Sequence, residues 1–331
     1  MVGARAHGGP TLDIQTPAHE SRRGYCDPMI HPTGEQYEIR SHRWSAVTTQ
    51  VGAGLRSLRY DGVELLDTYR ADEEPRRWQG AHLMPWPNRL RDGRYLIGET
   101  EYQLPVNEVA RGNANHGLNV GQQWEMLSHM SSAVRQRTVF WPRRGWPGIL
   151  AVEIVHELGE NGLTVDVLAT NIGTTTFPWG YGTHPYFRFD DLSQVELSIP
   201  FDAELMVDPE RLLPVRLGPI SSDHDFTASR RIGDTVLDTA FTDPLQRDWA
   251  VTLRGDGRAI KIWGDATTQW VQVFTPPTRA SIAVEPMTCG PDAFNEGPTH
   301  RDRILLRSGE SARARWGVSV PVPWPGTPEP R

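Results

Sequence analysis

The chain has 331 residues and a formal net charge of −7, with its basic side chains scattered rather than gathered into a stripe, a pattern that argues against a nucleic-acid partner. Its two cysteines, Cys26 and Cys289, are too few and too far apart to staple a chain of this length or to build a cysteine-based zinc site, which fits a reducing cytoplasm. No apolar run in residues 1–30 is long enough for a signal peptide or a membrane span.

In chain order, residues 1–28 read as a disordered arm, 29–322 as one domain, and 323–331 as a tail too rich in proline to pack. Within the domain, apolar residues seldom recur at helical spacing, while Gly and Pro punctuate the chain every few residues. Short alternating runs predict strands over 36–40, 45–51, 54–60, 123–128, 149–158, 163–171, 194–199, 249–254, 259–263, 270–275, 281–285 and 312–320. Turn pairs fall between the runs at Asp61-Gly62, Asp92-Gly93, Asn161-Gly162 and Asp256-Gly257, so neighbouring strands should pair antiparallel through tight hairpins. The predicted class is therefore all-β, a meandering sandwich. There is no βαβ alternation and no glycine-rich phosphate loop to suggest a nucleotide-binding fold.

Four segments carry polar, aromatic and Pro/Gly residues that core packing does not require: Pro85 to Leu90 (PWPNRL), Asn113 to Gly117 (NANHG), Gly180 to Phe187 (GYGTHPYF) and Ala283 to Thr288 (AVEPMT). In the last of these, strand alternation puts Ser281, Ala283 and Glu285 on one face, so Glu285 ends a row of small side chains with room around it. Pro286 narrows its backbone freedom, as Pro185 does for His184. Each residue alone reads more readily as structural: a solvated strand-end Glu and a hydrogen-bonded His. As a pair they could act as acid and base in a proton transfer near neutral pH. No His-Glu-x-x-His, no His-x-His and no Gly-x-Ser-x-Gly occurs, so neither a catalytic metal nor a serine nucleophile has positive support, and no cofactor is implied. The 12 tryptophans serve first as core filler, and some as flat walls for sugar C–H faces.

In these segments, and in their order along the globular region, the sequence resembles the aldose 1-epimerase family. The residues that carry the resemblance are Asn88-Arg89-Leu90 followed by Gly93 and Tyr102-Gln103-Leu104, then Asn113-x-x-His116-Gly117, Asn171, His184-Pro185-Tyr186-Phe187, Leu237-Asp238-x-x-Phe241 and Val284-Glu285-Pro286. The resemblance implies a large antiparallel β supersandwich of the galactose mutarotase type with an open sugar cleft. It also implies a metal-free interconversion of the α and β anomers of a free aldohexose. Glu285 would be the base at the anomeric hydroxyl and His184 the acid at the ring oxygen, the two facing each other across a pyranose-wide gap, with Glu285 ionised and His184 protonated at rest. Arg89, His116, Asp238 and Asn88 would hold sugar hydroxyls, and Trp179 and Phe274 would wall the pocket. The implied partner is a small-molecule sugar, with no nucleic acid or membrane involved, and a homodimer stays open. Two rivals share this fold: a hexose-6-phosphate 1-epimerase, with Arg91 and Arg94 supplying charge, and a sugar-binding protein without catalysis.

Overall fold

The computed structural model describes residues 30–321. The expectations for an arm over 1–28 and a tail over 323–331 fall outside them. Among the described residues the chain is built almost wholly of strands, and its helices are the three single 3-10 turns Val109–Arg111, Leu192–Gln194 and His300–Asp302.

Two large antiparallel sheets dominate. The nine-stranded sheet has at its middle Leu150–Gly159, Gly162–Asn171 and Ser311–Ser319. Along Leu150–Gly159 the side chains of Leu150, Val152, Ile154, His156 and Leu158 point into the core, while Glu153 and Glu157 point away from it. This two-residue period follows from the pleat. Each fully buried aliphatic side chain removes enough apolar surface from water to be worth about 1.5–3 kcal/mol. The eight-stranded sheet orders Pro214–Pro219, Phe201–Val207, Asp238–Pro244, Trp270–Phe274, Ser281–Met287, Gly182–Thr183 and His82–Leu83, with Tyr186–Arg188 also paired to Ser281–Met287. A four-stranded sheet, Gln36–Ser41 to Val63–Glu64, joins them.

The all-β expectation holds, and so do most strand positions. Asp61-Gly62 and Asp256-Gly257 close two-residue hairpins, Tyr60 opposite Val63 and Gly255 opposite Arg258, with both residues of each turn at positive φ as a type I′ turn requires. Asp92-Gly93 turns in the same way but closes no hairpin, because Arg89–Arg91 pairs with Asn113–Asn115 and Arg94–Ile97 pairs with Thr100–Gln103. The strand Ala133–Phe140 was not anticipated, since its inward face carries Gln136 and Thr138 beside Val134 and Phe140, which hides the apolar alternation. Glu285 does not end its strand, which runs on through Pro286 to Met287 and is buried at every position.

Candidate active site

Strand register in the eight-stranded sheet assembles the site. Glu285 lies opposite Gln272, Ala283 opposite both Phe274 and Tyr186, and Asp238 opposite Phe274, so Asp238 stands one two-residue step along the sheet from the Gln272–Glu285 pair. His184 sits in the link between Gly182–Thr183 and Tyr186–Arg188. Its backbone is pinned on both sides: its N–H donates to the Ala81 carbonyl at 2.9 Å and its carbonyl accepts from the Gly80 N–H at 2.9 Å. His184 Nε2 stands 3.4 Å from Glu285 Oε1, and both side chains are almost wholly buried, 6% and 2% exposed. Glu285 is therefore no solvated strand-end carboxylate.

The remaining residues close around this pair. The Tyr186 ring stacks on His184 at 4.7 Å between centroids, and His116 meets His184 edge-on at 5.4 Å. Half-buried Phe274 lies 6.4 Å from the Tyr186 ring. Asn88 and His116 both adopt left-handed backbone angles, φ 53 and 62, and are linked by the His116 N–H donating to the Asn88 carbonyl at 3.0 Å. Asn88 Oδ1 accepts from the Arg89 N–H at 2.9 Å. The Arg89 guanidinium is gripped from both ends by Glu108, Nε to Oε2 at 3.0 Å and Nη2 to Oε1 at 3.1 Å, which fixes its plane and balances its charge. Asp238 Oδ1 accepts from Gln272 Nε2 at 2.6 Å.

Several buried polar atoms here have no hydrogen-bond partner among the described residues: His184 Nδ1, Glu285 Oε2, His116 Nδ1 and Asn115 Oδ1. Unsatisfied buried groups carry a free-energy penalty of about 1–3 kcal/mol each, and four of them lie on three of the expected site residues and a neighbour.

Burial sets the protonation of the pair. It pulls the His184 imidazole down from 6.5 to about 3. It pushes the Glu285 carboxyl well above its ordinary range, with Asp238 adding to the rise and Arg89 opposing it. His116 is held well below 6.5 by burial, then by His184 and Arg89. Desolvation thus disfavours the charged form of both groups at once, and so opposes the expected ion pair.

Most of the residues implied by the sequence converge at this place: His184, Glu285, His116, Arg89, Asn88, Asp238 and Phe274. Trp179 does not, being fully buried in the main hydrophobic cluster, where it offers no face to a cleft. The two catalytic candidates touch rather than face each other across a ring-wide gap. Asn88, Arg89, Asp238 and Gln272 together line a recess of about 10 Å³. Arg91 and Arg94 are engaged elsewhere, Arg91 with buried Asp292 at 2.9 Å and Arg94 with Gln103 at 2.7 Å.

Three contributors escaped sequence reasoning. Gln272 left a trace, as a polar residue midway along the apolar run Trp270–Phe274. Trp78, whose ring lies 4.6 Å from His116, and Glu108 left none. Among the described residues no group of three or more His, Cys, Asp and Glu side chains is arranged to hold a metal ion, and no helix is long and apolar enough to cross a membrane.

Comparison with known proteins adds an independent line. The family model "Aldose 1-epimerase" matches residues 35–319. The uncharacterized protein YihR of Escherichia coli K12 is 32% identical over 295 residues, covering 87% of this chain and 94% of the relative. Galactose mutarotase of Mus musculus is 27% identical over 203 residues, covering 55% and 56%. Among solved structures, a putative aldose 1-epimerase of Escherichia coli K12 superposes with a TM-score of 0.75 at 19% identity, covering 87% of this chain and 99% of that one. A GalM/aldose epimerase homologue from C. elegans does so with a TM-score of 0.75 at 16% identity, covering 87% and 98%.

Proposed function

Because the chain belongs to the aldose 1-epimerase family, we propose that it interconverts the α and β anomers of a free aldohexose such as glucose or galactose, without a metal, in a cytoplasmic setting. The observation that carries this reading is the buried contact between His184 Nε2 and Glu285 Oε1, surrounded by unpartnered polar atoms.

Exchange of anomers requires a proton to leave the anomeric hydroxyl and another to reach the ring oxygen, so that the bond between C1 and the ring oxygen opens. The aldehyde then turns about C1–C2 and closes on its other face. Both oxygens are bonded to C1, so they lie side by side and not across the ring. Two groups in contact suit that edge better than two groups on opposite sides.

The resting pair holds one proton. Shifting it from carboxyl to imidazole is an internal transfer that Arg89 favours, since its charge pulls Glu285 toward the carboxylate. Glu285 then takes the hydroxyl proton while His184 protonates the ring oxygen, and closure reverses the roles. Each positioned proton-transfer group contributes about 10²–10⁴-fold. Arg89, His116, Asp238, Asn88 and Gln272 hold the other hydroxyls, and Phe274 walls the rim.

Polarimetry of freshly dissolved α-glucose and α-galactose tests the reading. Optical rotation should relax in proportion to enzyme concentration. Tight sugar binding by calorimetry with no acceleration would make the protein a binder instead.

A further inference from the structure

His184, Glu285 and His116 are almost wholly buried, and one segment beside them has the features of a moving part. Arg77 and Trp78 are consecutive non-glycine residues with left-handed backbone angles, φ 49 and 57, a conformation that L side chains adopt at a cost. They are held there by neighbours. The Tyr186 hydroxyl donates to the Arg77 carbonyl at 3.2 Å. The Gln79 side chain accepts from the Arg76 N–H at 3.0 Å and donates to the Asp67 carbonyl at 2.7 Å. Gln79 and Gly80 are thus fixed points, Gly80 through its N–H to the His184 carbonyl, while Arg76 and Arg77 face solvent. On one side the Trp78 ring covers His116. Beyond the same residue lies a cavity of about 440 Å³, lined also by Val51, Tyr69, His82 and Asn119. A space of this size takes a drug-sized molecule, and so an indole.

The geometry points to Trp78 as the gate of the site: on sugar entry it swings off His116 into the adjoining cavity, and it returns to cover the bound ring. A covering element of this kind excludes water during proton transfer and lets the closed site be reached without unfolding. Its role as a sugar gate rests on the mutarotase reading, whereas the motion can be tested without turnover.

Diethyl pyrocarbonate modifies neutral, accessible imidazoles, and peptide mass spectrometry reads each histidine separately. In the native protein His116 and His184 should react slowly. Trp78→Ala should raise both rates about tenfold or more, as expected for removal of a cover, with His156, fully buried and outside that cavity, unchanged. Equal acceleration at His156, or none at His116, overturns the gate.

Val51→Phe fills the receiving cavity while leaving Trp78 intact, and it guards against a Trp78 variant that folds poorly. It should slow His116 modification and lower kcat/KM about tenfold, and lose most of both effects when combined with Trp78→Ala, because the two changes share one motion. A Val51→Phe effect of the same size in both backgrounds, or no effect on His116 modification, contradicts the proposal. If no sugar is turned over, the mutarotase reading fails while the modification rates still decide the gate.

Discussion

Among the described residues, two clusters of buried histidines are finished differently. In one, Trp316 donates its indole N–H to the Tyr181 hydroxyl at 2.8 Å, Tyr181 meets His82 Nδ1 at 2.8 Å, and His82 Nε2 meets His156 Nε2 at 3.1 Å. Only His156 Nδ1 is left without a partner. In the other, His116, His184 and Glu285 touch through rings and one 3.4 Å contact, and each leaves a buried polar atom unpaired. A chain of hydrogen bonds that uses nearly every donor and acceptor ties the layers of the fold together. A cluster with orphaned atoms leaves stability unclaimed in the free protein, where a ligand can claim it. Burial alone separates neither cluster, since it depresses the imidazoles of both.

If this distinction is sound, perturbing the second cluster should damage function and perturbing the first should damage stability. The largest effect is expected from Glu285→Gln, which removes the proposed base and keeps the shape. Mutarotation measured by polarimetry should fall by about 10²–10⁴-fold, while the unfolding temperature holds or rises because a buried ionisable group is gone. Retention of most activity would place the base elsewhere.

Next in size is Arg89→Leu. It removes a proposed sugar-binding group and leaves the partly buried Glu108 carboxylate without its bidentate partner. We expect KM to rise about tenfold, and stability by urea denaturation to drop by about 1–3 kcal/mol. An unchanged KM would remove Arg89 from the binding set.

His156→Gln tests the structural cluster. Burial holds the His156 imidazole well below 6.5, so its neutral form stabilises the fold above pH 6.5, and that contribution is lost as the pH falls through its depressed folded-state value. The plot of unfolding temperature against pH should therefore be shallower on the acid side of 6.5 in the variant, with mutarotation little altered. A slope identical to that of the native protein would contradict the assignment.

The smallest effect belongs to Arg94→Ala. Its ion pair with Glu101, 3.7 Å long and exposed on both sides, is worth under about 1 kcal/mol. The ratio of turnover on glucose to that on glucose 6-phosphate should not change, and a selective loss on the phosphate would revive the anion-site reading.

The sequence made the strands legible wherever one face is apolar, as in Leu150–Gly159, and the turns legible wherever Asp-Gly must sit at positive φ. It was silent on Ala133–Phe140, whose inward Gln136 is satisfied by a bond to the Thr49 carbonyl at 3.0 Å from another sheet. The site showed through because His184-Pro185 and Glu285-Pro286 break the pattern of their surroundings. Their contact did not show, since residues about a hundred positions apart meet only through pairing across the Ser281–Met287 strand. For the same reason a wall assigned to Trp179 proved to be core, and Glu108 gave no sign that it holds Arg89. Burial, which local pattern does not report, pushes both groups of the pair toward their neutral forms.

The central claim is that His184 and Glu285 act as one proton-sharing unit. Exchange spectroscopy on galactose labelled with ¹³C at C1 can time the passage between anomers in the native protein, in His184→Gln, in Glu285→Gln and in the double variant. A shared unit predicts that each single change removes nearly all exchange and that the double variant is no slower than either. Losses that multiply in the double variant, or a single variant that exchanges at close to the native rate, would contradict it.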